Sequence, residues 1–166
     1  GRETDRAKQG RPAQIIAKMN ALLEPQIIRA LYKASQAGVK IDLIVRGPCA
    51  LRPGIVGLSE HIRVRSIIGR FLDHCRFFFF LNDGDDRVFL SSADWMDRNF
   101  FRRIEVAFPV LEKTLRQRVI DEGLRPYLED NTHAWILHRD GTYQRHTPGR
   151  RAARSAQQWL INKLVT

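Results

Sequence analysis

Residues 13–47 read AQIIAKMNALLEPQIIRALYKASQAGVKIDLIVRG, and three hydrophobic rhythms follow one another within them. AQIIAKMN is a short apolar run of strand length. EPQIIRALYKASQAG repeats Ile27, Ile28, Leu31 and Ala34 or Ser35 at helical spacing. Pro25 suits the first helical position, where its missing N–H costs nothing, and Gly38 is placed to end the helix. KIDLIVRG then alternates Ile41, Leu43 and Val45 against Asp42, Ile44 and Arg46, the period-two pattern of a strand. Strand, helix and strand within about thirty residues predict a right-handed βαβ crossover and a parallel sheet.

Arg46 closes the second strand just before Gly47 and Pro48, at the carboxyl end where open α/β sheets collect their ligands. The loop GPCALRPGIVGLSEH is longer than a simple turn requires, which marks a binding loop. HIRVRSII alternates again and predicts a third strand. RFLDHCRFFFF, residues 70–80, reads as a central strand: His74, Arg76, Phe78 and Phe80 fall on one face and Cys75, Phe77, Phe79 and Leu81 on the other, so both faces are covered. His74 and Arg76 stand at its mouth. DGDDR turns the chain, without the ligand spacing of a calcium loop, and RVFLSSADW returns as a hairpin partner.

Further on, RRIEVAFPV predicts a strand ending at Pro109, and Val110–Leu128 a packing helix with Leu111, Leu115, Val119 and Leu124 on one stripe. THAWILHRDGTYQRH is a second hairpin turning at Asp140 and Gly141. PGRRAAR is a flexible basic linker, and SAQQWLINKL a terminal helix capped by Ser155 and docked through Trp159, Leu160 and Leu164. At the other end, RETDRAKQG reads as the closing turns of a helix that begins upstream. The expected architecture is α/β, a mixed and largely parallel central sheet flanked by helices, with residues 1–130 as the main domain and 131–166 as a hairpin and helix extension of it.

Composition narrows the partners. The 166 residues are 43% hydrophobic and carry 28 Lys plus Arg against 18 Asp plus Glu, a net charge of +10. That points to an anionic ligand, although an arginine-rich genome and a merely soluble surface account for the same numbers. Twenty-two of the 28 cations are arginine, whose planar fork pairs with phosphate through two hydrogen bonds. Cys49 and Cys75 lack the spacing of a zinc site or a disulfide framework, and no apolar run is long enough for a signal peptide or a membrane span; a soluble protein of the reducing cytoplasm is expected. The five histidines form no metal-binding spacing. Phosphate-binding glycine motifs are absent, which leaves arginine side chains to hold the anion. Six arginines against Glu60 and Asp73 between residues 46 and 76 supply them.

Three stretches carry a resemblance: KMNALLEPQIIRALYKASQAGVKIDLIVRG, CALRPGIVGLSEHIRVRSIIGRFLDHCR and RVFLSSADWMDRNFFRRIEVAFP. Together they resemble the carboxyl-terminal catalytic domain of the polyphosphate kinase family, which has a phospholipase D-like fold. The resemblance implies a domain of an ATP:polyphosphate phosphotransferase, reversibly moving the γ-phosphate of ATP to polyphosphate through a phosphohistidine on a partner domain absent from this chain. By motif, His74 in FLDHCR matches the second active-site histidine and Arg46 in LIVRG the arginine that contacts ATP. Arg76 and Arg98 join them as further phosphate ligands, with Mg²⁺ arriving on the nucleotide and no metal ligand in this chain. The resemblance further implies ATP or ADP and polyphosphate as substrates, the preceding domains of the full-length enzyme as partners, a homo-oligomeric intact enzyme, and an inactive isolated domain. SSADW, residues 91–95, looks like the small-residue element that follows the histidine in phospholipase D-like domains, but with Asp94 where Asn is usual; Arg76 likewise replaces the usual Lys. Two rivals stand beside this reading. A basic nucleic-acid-binding module fits the charge but lacks aromatics interleaved with the basic residues. A dimeric phospholipase D-like phosphodiesterase requires two such chains, each giving one histidine.

Overall fold

A computed structural model describes residues 1–165. The βαβ unit forms as expected: β1 (Gln14–Met19), α2 (Pro25–Gln36) and β2 (Lys40–Val45), preceded by α1 (Arg2–Lys8). Pro25 occupies the first turn of α2, Glu24 caps it by accepting the Ile27 N–H at 2.7 Å, and Gly38 turns the chain at a φ of 94°, a value other residues avoid. β2 lies parallel to β1 and β3 (Ile62–Ile67) parallel to β2.

The remaining strands are β4 (Arg76–Phe80), β5 (Arg87–Ser91), β6 (Ala107–Pro109), β7 (Ala134–Leu137) and β8 (Tyr143–Arg145). They complete one eight-stranded sheet of order β6-β5-β4-β1-β2-β3-β7-β8. The sheet is mixed, and its parallel part is confined to β1, β2 and β3. The other five pairings are antiparallel, so "largely parallel" holds only for the innermost strands: β4 and β7 come back against β1 and β3 after long connections, and β5 and β8 then extend the sheet as hairpin partners, which can only pair antiparallel.

Alternation along the inner strands gives the sheet two apolar faces. Ile15, Ala17 and Met19 pack with Ile28, Leu31 and Ala34 of α2. Ile16, Ile44 and Phe79 pack with Leu124, Tyr127 and Ala156 on the other side. The phenylalanine run divides as its parity predicts, Phe78 and Phe80 to the first face, Phe77 and Phe79 to the second.

Three further expectations need correction. The strand read from residue 70 starts only at Arg76. Upstream, Asp73 accepts the Cys75 N–H at 3.1 Å, a local turn that competes with strand pairing, and His74 sits in the loop before the strand. The single helix read over 110–128 is broken into α4 (Lys113–Arg118), a π-helical turn Val119–Leu124 and α5 (Arg125–Glu129). Pro126 has no N–H to continue a ladder, and the widened turn sets Gly123 so close to Phe77 that a Cβ would lie 2.6 Å from the ring. Leu124 and Tyr127 are buried as a result, while Leu111 and Leu115 stay exposed. The terminal helix α6 (Ala156–Leu164) is capped by Ser155 as read, but it docks through Ala156 and Leu160; Trp159 and Leu164 face solvent. Among the described residues no helix is long and apolar enough to cross a membrane.

Candidate active site

Parallel β1, β2 and β3 all end on one edge of the sheet, and antiparallel β4 begins there. That edge gathers Asn20 just after β1, Arg46 just after β2, His74 and Arg76 at the start of β4, and Asp94 beyond β5. The backbone ties these segments together: Gly47 N–H donates to Asn20 O at 2.8 Å, Trp95 N–H to Ala21 O at 3.1 Å and Leu23 N–H to Trp95 O at 2.8 Å. The Trp95 ring stacks on Phe78 at 5.0 Å and holds the SSADW loop down on the sheet.

One hydrogen-bonded chain of side chains results. Arg46 Nε donates to Asn20 Oδ1 at 2.9 Å. Asp94 Oδ1 accepts from the Asn20 backbone N–H at 2.7 Å and from the Asn20 amide at 3.4 Å. Arg76 meets Asp94 with both prongs of its fork, Nε to Oδ1 at 3.1 Å and Nη2 to Oδ2 at 2.8 Å. Arg76 Nη1 then holds His74 twice, at its carbonyl (2.8 Å) and at ring Nδ1 (3.0 Å), with Nη2 3.3 Å from Nε2. A guanidinium can only donate, so both ring nitrogens of His74 lie against the donor edge of Arg76.

Arg76 is 9% exposed and Asp94 5%, whereas the His74 side chain is open to solvent. Burial alone would raise the Asp94 carboxyl; the Arg76 fork and the Asn20 and Ala21 N–H groups outweigh it and hold the group below the usual carboxylate range. The two residues that the sequence reading set against the phospholipase D-like pattern therefore face each other. An arginine fork needs a two-oxygen acceptor, and the Asp94 carboxylate provides one.

A second pair lies under the same loop on the opposite face of the sheet. Lys18, one residue before the end of β1 and 4% exposed, reaches Asp73 at 2.8 Å and lies over the Tyr127 ring at 4.4 Å and the Phe77 ring at 5.3 Å. Burial pushes the Asp73 carboxyl up, but the Lys18 charge, with hydrogen bonds from Lys18, Tyr127 and the Cys75 N–H, brings it below its ordinary value. Asn20, Lys18 and Asp73 are residues the sequence reading passed over. The available signal was a lysine inside an apolar strand, which must find a carboxylate.

Arg98 stands apart, exposed on α3 (Asp97–Phe101) and outside this network. Of the other arginines near the site, Arg63 pairs with Asp42 at 3.1 Å, and Arg65 donates to the Tyr127 and Leu128 carbonyls at the end of α5. Among the described residues no group of three or more His, Cys, Asp or Glu is placed to hold a metal ion; Asp73 and Asp94 are both committed to cations.

Residues 1–157 match the family described as polyphosphate kinase C-terminal domain 2. The chain belongs to that family. It is 59% identical over 164 residues to the polyphosphate kinase of Paraburkholderia phytofirmans, covering 99% of this chain and 24% of that protein. The polyphosphate kinase of Pseudomonas syringae pv. tomato is 61% identical over 164 residues, covering 98% of this chain and 22% of the relative. The chain thus spans about a quarter of the length of the curated relatives it matches. The crystal structure of polyphosphate kinase from Porphyromonas gingivalis superposes with a TM-score of 0.94 at 40% identity, over 99% of this chain and 25% of that one. Nuc from Salmonella typhimurium, a phospholipase D family member, is 13% identical with a TM-score of 0.55 over 82% of this chain and 88% of its own, a likeness of fold.

Proposed function

We propose that this domain supplies half of the active site of an ATP:polyphosphate phosphotransferase, in which the γ-phosphate of ATP passes reversibly to polyphosphate through a phosphohistidine on another domain of the intact enzyme. The observation that carries the proposal is the chain of contacts from Arg46 through Asn20, Asp94 and Arg76 to the open ring of His74. In this reading residues 1–130 carry the half-site and 131–166 extend it. The enzyme works in a homo-oligomer, in the reducing cytoplasm that its free cysteines suit.

Phosphoryl transfer asks chiefly for alignment and for stabilisation of charge on the equatorial oxygens. His74, open to solvent, gives or takes a proton at its ring, or donates a hydrogen bond, as the phosphoryl group reaches or leaves the partner histidine. Arg46, half-buried and anchored by one bond to Asn20, keeps its terminal nitrogens for nucleotide phosphate. Arg76 acts on phosphate mainly through His74, since its fork is occupied by Asp94. Arg98, exposed on α3, is the outermost phosphate contact. Mg²⁺ comes with the nucleotide as its counter-ion.

In the intact enzyme, His74→Ala lowers polyphosphate synthesis about 10²–10⁴-fold, the range of a lost general acid or base, with thermal unfolding unchanged. Arg46→Ala raises KM for ATP about tenfold or more, as expected for a charge-assisted hydrogen bond. Near-normal turnover in His74→Ala removes the imidazole from the mechanism, and an unchanged KM removes Arg46 from the nucleotide site. Hydrolysis of a phosphodiester to a phosphomonoester and an alcohol by this chain alone would favour the phosphodiesterase reading instead.

A further inference from the structure

The segment that carries His74 runs from Ile68 to Cys75 without helix or strand, and apolar packing does not hold it: Ile68, Phe71 and Leu72 are all exposed. Polar contacts hold it instead. At its far end the Asp73 carboxylate is fixed by Lys18, and the His74 carbonyl by Arg76. In the middle stands a side chain from the terminal helix. Gln157 accepts the Phe71 N–H at 2.9 Å and donates to the Phe71 carbonyl at 2.8 Å, occupying both backbone groups of a residue three positions before His74. Gly69 makes room for it, because a Cβ there would lie 2.4 Å from the Gln157 oxygen.

The helix is itself held in register at its start. Asp130 accepts the Ala156 N–H at 2.8 Å, Asn131 accepts the Arg154 N–H at 2.7 Å, and the Asn131 amide donates to the Ala152 carbonyl at 3.0 Å. Asp130 and Asn131 are both buried, so the first turn of α6, and Gln157 with it, is built onto the body of the domain.

We propose that Gln157 is a positioning residue for His74: the amide clamps the backbone of Phe71 and thereby limits the conformations open to the loop that presents the imidazole. The tail of the domain is then part of the phosphoryl-transfer apparatus although it offers substrate no group of its own. The proposal rests on the His74 reading given above. It makes a further claim, that ordering of this loop by α6 controls turnover and leaves nucleotide affinity alone, since Arg46 belongs to a different segment.

The test uses the intact enzyme and the variants Gln157→Ala, Gln157→Glu and Gly69→Ala. Gln157→Glu keeps the acceptor for the Phe71 N–H and loses the donor; Gly69→Ala displaces the amide from the other side. Hydrogen exchange of the amides from Phe71 to His74 should rise about tenfold or more in Gln157→Ala, as for a locally opened loop. Over the same series kcat should fall about ten- to a hundredfold, the cost of a misplaced reacting group. KM for ATP and the melting temperature should hold steady, with Gln157→Glu between wild type and Gln157→Ala and Gly69→Ala matching the latter. Unchanged exchange shows that the clamp does not order the loop, and faster exchange with unchanged kcat shows that the order is irrelevant to the reaction; each overturns the proposal. A fall in kcat that comes with a lowered melting temperature and faster exchange throughout the sheet assigns Gln157 a structural role and overturns it equally. Failure of the underlying reading appears elsewhere, as turnover surviving in His74→Ala.

Discussion

Two ion pairs flank the His74 loop, one on each face of the sheet, and they are built differently. Arg76–Asp94 is a fork on a carboxylate, with hydrogen bonds filling the remaining valences and one prong turned outward onto an exposed ring. Lys18–Asp73 is a point charge sealed between Tyr127 and Phe77. An arginine can serve two partners at once because its donors are fixed in a plane; a lysine between aromatic faces serves one and fills the space around it. The first pair therefore transmits position to the candidate catalytic ring, and the second anchors the loop.

The comparison breaks most readily at its most buried carboxylate. Asp94→Ala leaves the Arg76 charge uncompensated and the Asn20 and Ala21 N–H groups unpaired, and should cost about 3–5 kcal/mol of folding stability. Lys18→Met should cost about 3 kcal/mol, the low end of that range, because Asp73 reaches solvent better than Asp94 does. The double change Lys18→Met with Asp73→Leu should recover most of that loss, since an apolar pair fits between two rings; no such rescue is available to the Asp94 side, where backbone donors would remain orphaned. Denaturant unfolding of these variants, with the matching double change Arg76→Met and Asp94→Leu, checks this, and equal rescue on both sides would erase the distinction.

A smaller effect is pH dependence. Both carboxyls sit below their ordinary range in the folded protein, so each contributes stability that is fully present above the unfolded carboxyl value, near pH 3.9, and is lost as pH falls through the lower folded value. The stability curve should decline on the acid side below about pH 4, and Asp94→Asn should flatten that decline. A curve unchanged by the substitution would mean that the pair is not charged as drawn. The smallest effect belongs to Arg98→Ala, whose exposed position predicts a stability change within about 0.5 kcal/mol. In the intact enzyme it should weaken phosphate binding less than Arg46→Ala does, and the ratio of the two KM changes measures how far the site extends beyond the network.

What was legible in the sequence was local. The βαβ unit, the two hairpins and the two-faced phenylalanine strand each announce themselves through a period of 2 or 3.6 over a few residues. The stripe from Leu111 to Leu124 misled because it assumes an unbroken α-helical period, and a π-helical turn ahead of Pro126 shifts the faces. Of the site, Arg46 and His74 were reachable by motif. Asn20 and Lys18 were not, because their importance depends on partners 74 and 55 positions away, Asp94 and Asp73, and sheet register brings those together. Arg76 and Asp94 stand out separately in the sequence, and only the fold joins them as one ion pair.

The connectivity of the network also has a bearing on how the protein is made. Its members come from positions 20, 46, 74, 76 and 94, so no short peptide contains a working fragment of it, and it can close only when β1, β2, β4 and β5 have found one another. Contacts so distant along the chain are the slow ones to form. On refolding, the network should therefore return with the last strand pairing, well after helix signal has recovered, and a ribosome-bound chain that has not yet released residue 94 should lack it.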